Sequence, residues 1–252
     1  MPALRVFITG GSSGLGAALT EHYLSRGAVV GAVSRHPERL SLQSERLSLY
    51  RTDVADAAAM QITAREYIAV HGLPDIVIAN AGVSVGVDTF LPEDLSILER
   101  TLRTNVCGVA NSFQPFLALM RGRGSGTLVS IASVAGLRGL AGSSAYSASK
   151  SAVITWMESL RLEIYGSGLK AVTICPGYVD TPMTRVNRYR MPFLLSAETA
   201  ARRIARVIDR GSAYAVVPWQ MGCIAALLRC MPRVLYDRLF AQAPRKPRNL
   251  PT

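Results

Sequence analysis

Short runs of consecutive apolar residues alternate along this chain with stretches of helical periodicity. The runs Leu4–Thr9, Ala28–Val33, Leu47–Arg51, Asp75–Ala79, Gly126–Ser130, Lys170–Cys175 and Ala213–Val217 read as strands. Helical patterns fall between them at Leu15–Arg26, Ala55–Val70, Leu95–Met120, Ala145–Tyr165 and Ala200–Asp209. A strand that is apolar at successive positions is covered on both faces, which is the mark of a parallel sheet between helices. The pattern therefore predicts an α/β fold with a doubly wound parallel sheet of the Rossmann type. Such sheets bind ligands at the carboxyl ends of their strands.

The pattern changes after the last strand. Trp219, Cys223, Leu227, Met231, Leu235 and Leu239 recur every four residues, and Pro218 and Pro232 suit helix starts. Two short amphipathic helices are expected there, followed by the basic tail Arg245-Lys246-Pro247-Arg248. A 49% hydrophobic content over 252 residues supports one domain spanning 1–252. Within it, 183–198 reads as a substrate-loop region holding Met191, Phe193 and Leu194, and 218–252 as a basic amphipathic C-terminal extension.

Charge sharpens this division. Residues 183–252 carry thirteen basic and three acidic side chains, whereas the rest of the chain is nearly balanced. Such an excess attracts an anionic substrate, an acidic lipid surface or nucleic acid, or forms a solvated arginine-rich surface. The tail has no recognised reader motif and few interleaved aromatics, so nucleic acid is not an expected partner. Four cysteines without Cys-x-x-Cys spacing suggest neither a metal site nor a disulfide framework. The N-terminus lacks a leader pattern and no run of about 18 apolar residues occurs. The expectation is a cytoplasmic protein, with shallow membrane docking of the extension as an alternative to its packing on the body.

The candidate chemistry centres on Tyr146 and Lys150, four apart and on one helix face, with Ser133 upstream. A phenol is a weak acid/base near neutral pH, and a neighbouring ammonium is expected to lower its pKa. That spacing suits proton transfer to an alcohol or carbonyl oxygen. A second motif, Gly10-Gly11-Ser12-Ser13-Gly14-Leu15-Gly16, joins the first strand to the first helix. Its glycines allow a tight turn, and the helix N-terminus offers N–H groups to a pyrophosphate. The same segment fits the Gly-x-Ser-x-Gly elbow of hydrolases, which requires a histidine late in the chain. The histidines are His22, His36 and His71, all early, so that reading fails.

The ordered set Thr9-Gly10…Gly14-Leu15-Gly16, Asn80-Ala81-Gly82, Asn105, Ser133, Tyr146-x-x-x-Lys150 and Pro176-Gly177 resembles the short-chain dehydrogenase/reductase family over roughly residues 4–217. The resemblance implies an oxidoreductase with a nicotinamide cofactor. It implies Tyr146 as general acid/base, Lys150 as its tuning ammonium and ribose contact, Ser133 as donor to the substrate oxygen, and Asn105 as the residue holding a relay water. Cofactor contacts would come from Gly10, Ser12, Ser13, Gly14, Leu15, Gly16, Asn80, Ala81, Gly82, Tyr146, Lys150, Pro176, Gly177, Val179 and Thr181. Asp53 and Val54 resemble the adenine-contacting pair, with Asp53 otherwise a helix cap. Relatives preferring NAD usually carry an acid where Ser34 stands. Here Arg35 follows instead, which favours NADP(H), with NAD(H) as the second choice.

A carbonyl or secondary alcohol in an apolar or lipid-like compound is thus the expected substrate, and a homodimer the expected assembly. The extension replaces the short end used in tetramer packing by many relatives, which puts a tetramer in doubt. A redox-sensing NADP-binding module without turnover is the non-enzymatic alternative.

Overall fold

The computed structural model of the protein describes residues 3–248. Seven parallel strands form one sheet: β1 (Arg5–Thr9), β2 (Val29–Ser34), β3 (Leu47–Arg51), β4 (Ile76–Ala79), β5 (Gly126–Ile131), β6 (Leu169–Pro176) and β9 (Tyr214–Val217). Their order is β3-β2-β1-β4-β5-β6-β9. Two further strands, β7 (Val179–Asp180) and β8 (Leu195–Ser196), pair only with each other. The helices are α1 (Gly14–Ser25), α2 (Ala57–His71), α3 (Leu95–Leu102), α4 (Gly108–Arg123), α5 (Ser144–Glu163), α6 (Pro182–Arg185), α7 (Ala197–Arg210), α8 (Trp219–Cys230) and α9 (Arg233–Phe240).

The sheet's two faces explain its unbroken apolar runs. Successive side chains in a strand point to opposite faces. In β1, Phe7 joins Tyr67, Phe113, Phe116, Met120 and Met157 on one side. Val6 and Ile8 join Leu19, Tyr23, Ile174 and Ile204 on the other. All of these are buried, so β1 has no polar alternation to show. Gly31 in β2 leaves room for the Tyr67 ring, which would lie 2.5 Å from a Cβ there.

The chain reverses its winding direction between β1 and β4. Their carboxyl ends therefore splay apart into a crevice, the usual ligand position in such sheets. The glycine turn follows β1 and Asn80-Ala81-Gly82 follows β4, so both motifs border that crevice.

The helical region expected at 95–120 is helical throughout, as α3 and α4 joined by a π-helical turn, Arg103–Cys107, which turns Asn105 fully inward. An extra residue in a helical turn is a frequent way to aim a functional side chain. The cap of α2 is Asp56, which accepts from Ala59 N at 2.9 Å. Asp53 instead accepts from Ala55 N in the preceding turn.

Pro218 and Pro232 stand immediately before α8 and α9, as their fixed φ suits. The fourfold apolar stripe, however, faces outward. Trp219, Cys223, Leu227, Leu235 and Leu239 are exposed, while Met221, Ala225 and Tyr236 pack inward. Tyr236 donates to Gly139 O at 2.6 Å and lies under the Arg138 guanidinium, anchoring α9 to the loop before α5. The apolar part of the 183–198 region is also outside: Phe193 and Leu194 are about half exposed, at 48% and 45%. β7 and β8 close the base of that loop.

Candidate active site

The crevice between the carboxyl ends of β1, β4, β5 and β6 is a cleft of about 200 Å³. Its lining brings together Gly10, Ser13, Gly14, Leu15, Gly16, Asn80, Ala81, Gly82, Ser133, Tyr146, Lys150, Pro176, Gly177, Val179 and Thr181. Residues separated by up to about 170 positions thus meet in one hollow, because each follows a strand whose end opens there.

The glycine turn is held rigid from the neighbouring strand. Asn80 donates through Nδ2 to Thr9 O and Gly10 O, both at 3.1 Å. Gly10 has φ of +67°, and any Cβ would meet the Ala81 backbone at 2.8 Å. A Cβ on Gly16 would lie 2.0 Å from Gly10 O, so helix α1 could not start this close to the turn with a side chain there. Across the cleft, Thr181 caps α6 through a reciprocal bond set with Thr184 and lies beside Gly14.

Ser12 is buried beneath the turn and donates to Ser34 Oγ at 2.7 Å; Ser34 Oγ also accepts from His36 N. The end of β2 thus presents a hydroxyl and no carboxylate. Arg35 next to it is exposed and forms no ion pair among the described residues, whereas neighbouring Arg51 pairs with Glu38. Arg35 and Asp53 border a second, wider groove with Arg100 and Arg103. Val54 is buried beside it, its carbonyl held by Asn111 Nδ2 at 2.8 Å.

At the far end of the cleft, Ser133 stands two residues beyond β5 and accepts from Ala135 N through its hydroxyl. Gly136 lets the following turn press on α5: a Cβ there would be 2.6 Å from the Lys150 carbonyl carbon. That contact seats Ser133 opposite Tyr146. Lys150 is buried and donates to Ile131 O at 2.8 Å, with its ammonium 5.8 Å from the Tyr146 ring centre.

The electrostatics differ from the sequence expectation. Burial pushes the Tyr146 phenol above its usual value, with the Ser133 hydroxyl pulling the other way. Lys150 does not produce the expected fall, because its ammonium is committed to a backbone carbonyl and is itself desolvated, its pKa drawn down to about 8. Both groups therefore lie closer to their neutral forms than in water.

Asn105 is fully buried behind Lys150 and outside the cleft lining. Its Oδ1 accepts from Val83 N at 2.8 Å, while Nδ2 donates to Val83 O and Ser149 Oγ, each at 2.9 Å. It clamps the loop after β4 to α5. A Cβ on Gly82 would lie 3.2 Å from Asn105 Oδ1 and 3.5 Å from Lys150 Nζ, so these two groups flank the same glycine.

Sequence reasoning did not single out Ile131, Ala132 or Pro182 in the lining, whereas Met183 and Thr184 belong to the expected substrate-loop region. The Thr-Pro-x-Thr spacing at 181–184 was a legible capping signal. Nothing local marks Ile131 or Ala132, which are ordinary strand-end residues.

The sheet order, the glycine turn at its reversal point and the tyrosine–lysine pair at its end define a dinucleotide-binding oxidoreductase. The chain belongs to the short-chain dehydrogenase family, whose pattern it matches over residues 5–191. The family uses nicotinamide cofactors. An uncharacterized oxidoreductase of Myxococcus xanthus is 36% identical over 237 residues, covering 91% of this chain and 93% of that protein. The 2-(R)-hydroxypropyl-CoM dehydrogenase of Xanthobacter autotrophicus is 30% identical, covering 71% and 75% respectively. A Burkholderia cenocepacia short chain dehydrogenase crystallised with NADP superposes with a TM-score of 0.83 at 24% identity, covering 94% of this chain and 97% of that one.

Proposed function

We propose that the protein is an NADP(H)-dependent oxidoreductase that interconverts a carbonyl and a secondary alcohol on an apolar or lipid-like substrate. The observation that carries this reading is the convergence of Ser133, Tyr146 and Lys150 on one cleft with the glycine turn. The cofactor, when bound, supplies the hydride. The glycine turn and the start of α1 would receive its pyrophosphate, and Arg35 its 2′-phosphate. Ser133 would donate to the carbonyl oxygen as charge develops there, and Tyr146 would deliver the proton. Lys150 would orient the ribose and support the tyrosinate, while Asn105 holds the loop and helix that frame the ammonium. A binding-only sensor would need none of this proton-transfer set. The exposed Met183, Phe193 and Leu194 favour an apolar substrate, and the Xanthobacter relative is itself named for dehydrogenation of a hydroxypropyl group. NADPH oxidation with a panel of aldehydes, ketones, quinones and 3-ketoacyl compounds tests the assignment. Turnover of at least one ketone is expected, and no consumption across the panel would refute it.

A second reading concerns where the enzyme works. Trp219, Leu227 and Leu239 are 69%, 68% and 58% exposed, and Arg229, Arg233 and Arg238 are exposed on the same two helices. Apolar side chains flanked by arginines suit the interface of an anionic bilayer. The protein should sediment with phosphatidylglycerol vesicles and not with phosphatidylcholine vesicles. Changing Trp219 and Leu227 together to serine should release it. Indifference to the anionic lipid, or unchanged sedimentation of the double variant, would remove this reading. Among the described residues no helix is long and apolar enough to cross a membrane.

A further inference from the structure

The segment Pro244–Arg248 folds back across the body and ties together two loops that continue from the cleft lining. Arg248 makes a paired contact with the buried Asp94, with both bonds at 2.9 Å. Pro247 O accepts from Gly86 N at 3.0 Å. The fit against the loop after β4 is tight: a Cβ on Gly86 would lie 2.1 Å from Lys246 O. Between these anchors Lys246 is turned inward and only 8% exposed.

Its surroundings are unusual for a cation. Lys246 Nζ donates to Ser84 Oγ and to Met183 O, both at 3.0 Å. Both acceptors are neutral, and no carboxylate pairs with it among the described residues. An ammonium has three donors, and among the described residues only two are used. Burial without a counter-charge draws its pKa down to about 8. A buried cation of this kind is costly unless an anion meets it.

Lys246 and Ser84 are not part of the cleft lining, but the ammonium sits directly behind residues that are. Met183, whose carbonyl it holds, lines the cleft with Tyr146, and Ser84 lies two residues beyond Gly82, which lines it too. The chain also uses only three lysines among 28 basic residues. Two of those three, Lys150 and Lys246, are the buried ones. A compact ammonium can be desolvated and left with one free donor, which a guanidinium fork does less well.

We propose that Lys246 is a specificity-determining residue whose ammonium receives an anionic group, a carboxylate or phosphate, carried by the carbonyl substrate. The inference rests on the carbonyl-reductase reading of the cleft and names its substrate class. The substrate has an apolar body, a carbonyl that reaches Tyr146 and Ser133, and an anionic end that reaches the strap formed by the tail.

Calorimetric titration of the NADP⁺-loaded full chain near neutral pH tests this without requiring turnover. The probes are straight-chain carboxylates from butanoate to decanoate, each beside its methyl ester. At least one carboxylate should bind about tenfold or more tightly than its ester, the effect of one charge-assisted hydrogen bond in a buried site. Lys246→Met should erase the difference and Lys246→Arg should keep part of it. Should the Met variant not fold, Lys246→Gln serves, since it keeps a donor and removes the charge. Equal binding of acid and ester by the unaltered protein, or a preference that survives loss of the charge, overturns the proposal. Failure of the reductase reading has a different signature: no NADPH oxidation with any carbonyl, whatever the binding preference.

Discussion

Tyr146→Phe should lower kcat for NADPH-dependent ketone reduction by about a thousandfold, in the range expected for losing a positioned general acid. NADPH affinity should stay within about threefold, because the glycine turn, Asn80 and Thr181, which would hold the cofactor, are positioned independently of that hydroxyl. The phenylalanine ring keeps the packing beside Lys150, whose ammonium sits 5.8 Å from the ring centre, so the loss would be one of chemistry rather than folding. Ser133 remains to polarise the carbonyl and sets the residual rate. The pH profile of the unaltered enzyme carries the complementary signal. Lys150 titrates near 8, well below an ordinary lysine, so its charge is present below that pH and lost as pH rises through it. A tyrosinate forming beside a neutral lysine is poorly supported. The reductive kcat/KM should therefore fall above about pH 8. Steady-state kinetics with stopped-flow cofactor binding check both points. A Tyr146→Phe variant within tenfold of full activity would place the proton donor elsewhere.

Arg35→Glu should reduce kcat/KM for NADPH by about a hundredfold or more and leave NADH unchanged or improved. The expected size is that of one or two charge-assisted hydrogen bonds to a phosphate, plus repulsion from the new carboxylate. The surroundings of Arg35 make it the side chain expected to discriminate. Ser34 is engaged by Ser12 and His36 N and offers no carboxylate to a ribose diol. Arg51 is already paired with Glu38, whereas Arg35 is exposed and has no ion pair among the described residues. Arg100 and Arg103 border the same groove and add a general attraction for phosphate, which should persist in the variant. Measured kcat/KM for both cofactors decides the matter. A parallel loss with NADPH and NADH would mean that Arg35 supports the loop rather than reads the phosphate.

The neutral bias of Tyr146 and Lys150 is not legible in their spacing. The spacing of Tyr146 and Lys150 places them on one helix face, and that much is a property of the helix repeat. Whether the ammonium tunes the phenol depends on what else it meets. Here Ile131 O meets it, from a strand end nineteen residues away. Asn105 illustrates the same point. A long helical pattern is visible, but not the π turn that places this amide inward, where it bonds Val83 and Ser149. Of the two readings of Asp53, the helix cap is the one that fails: two aspartates stand three apart before α2, and Asp56 is the one that accepts from Ala59 N.

What the sequence by itself determined was everything written in short periods: the alternation of buried strands and helices, the glycine turn and the tyrosine–lysine spacing. These are local because side-chain direction repeats every two or about 3.6 residues. Only the tertiary structure decided which face of α8 and α9 is covered, and it left the fourfold stripe outside because Met221, Ala225 and Tyr236 fit the body instead. Only it could bring Ser133 to Tyr146, or carry Lys246 from the tail to Ser84 and Met183. Such contacts join residues far apart in the chain, and their strength comes from burial and the loss of competing water, which no local pattern encodes.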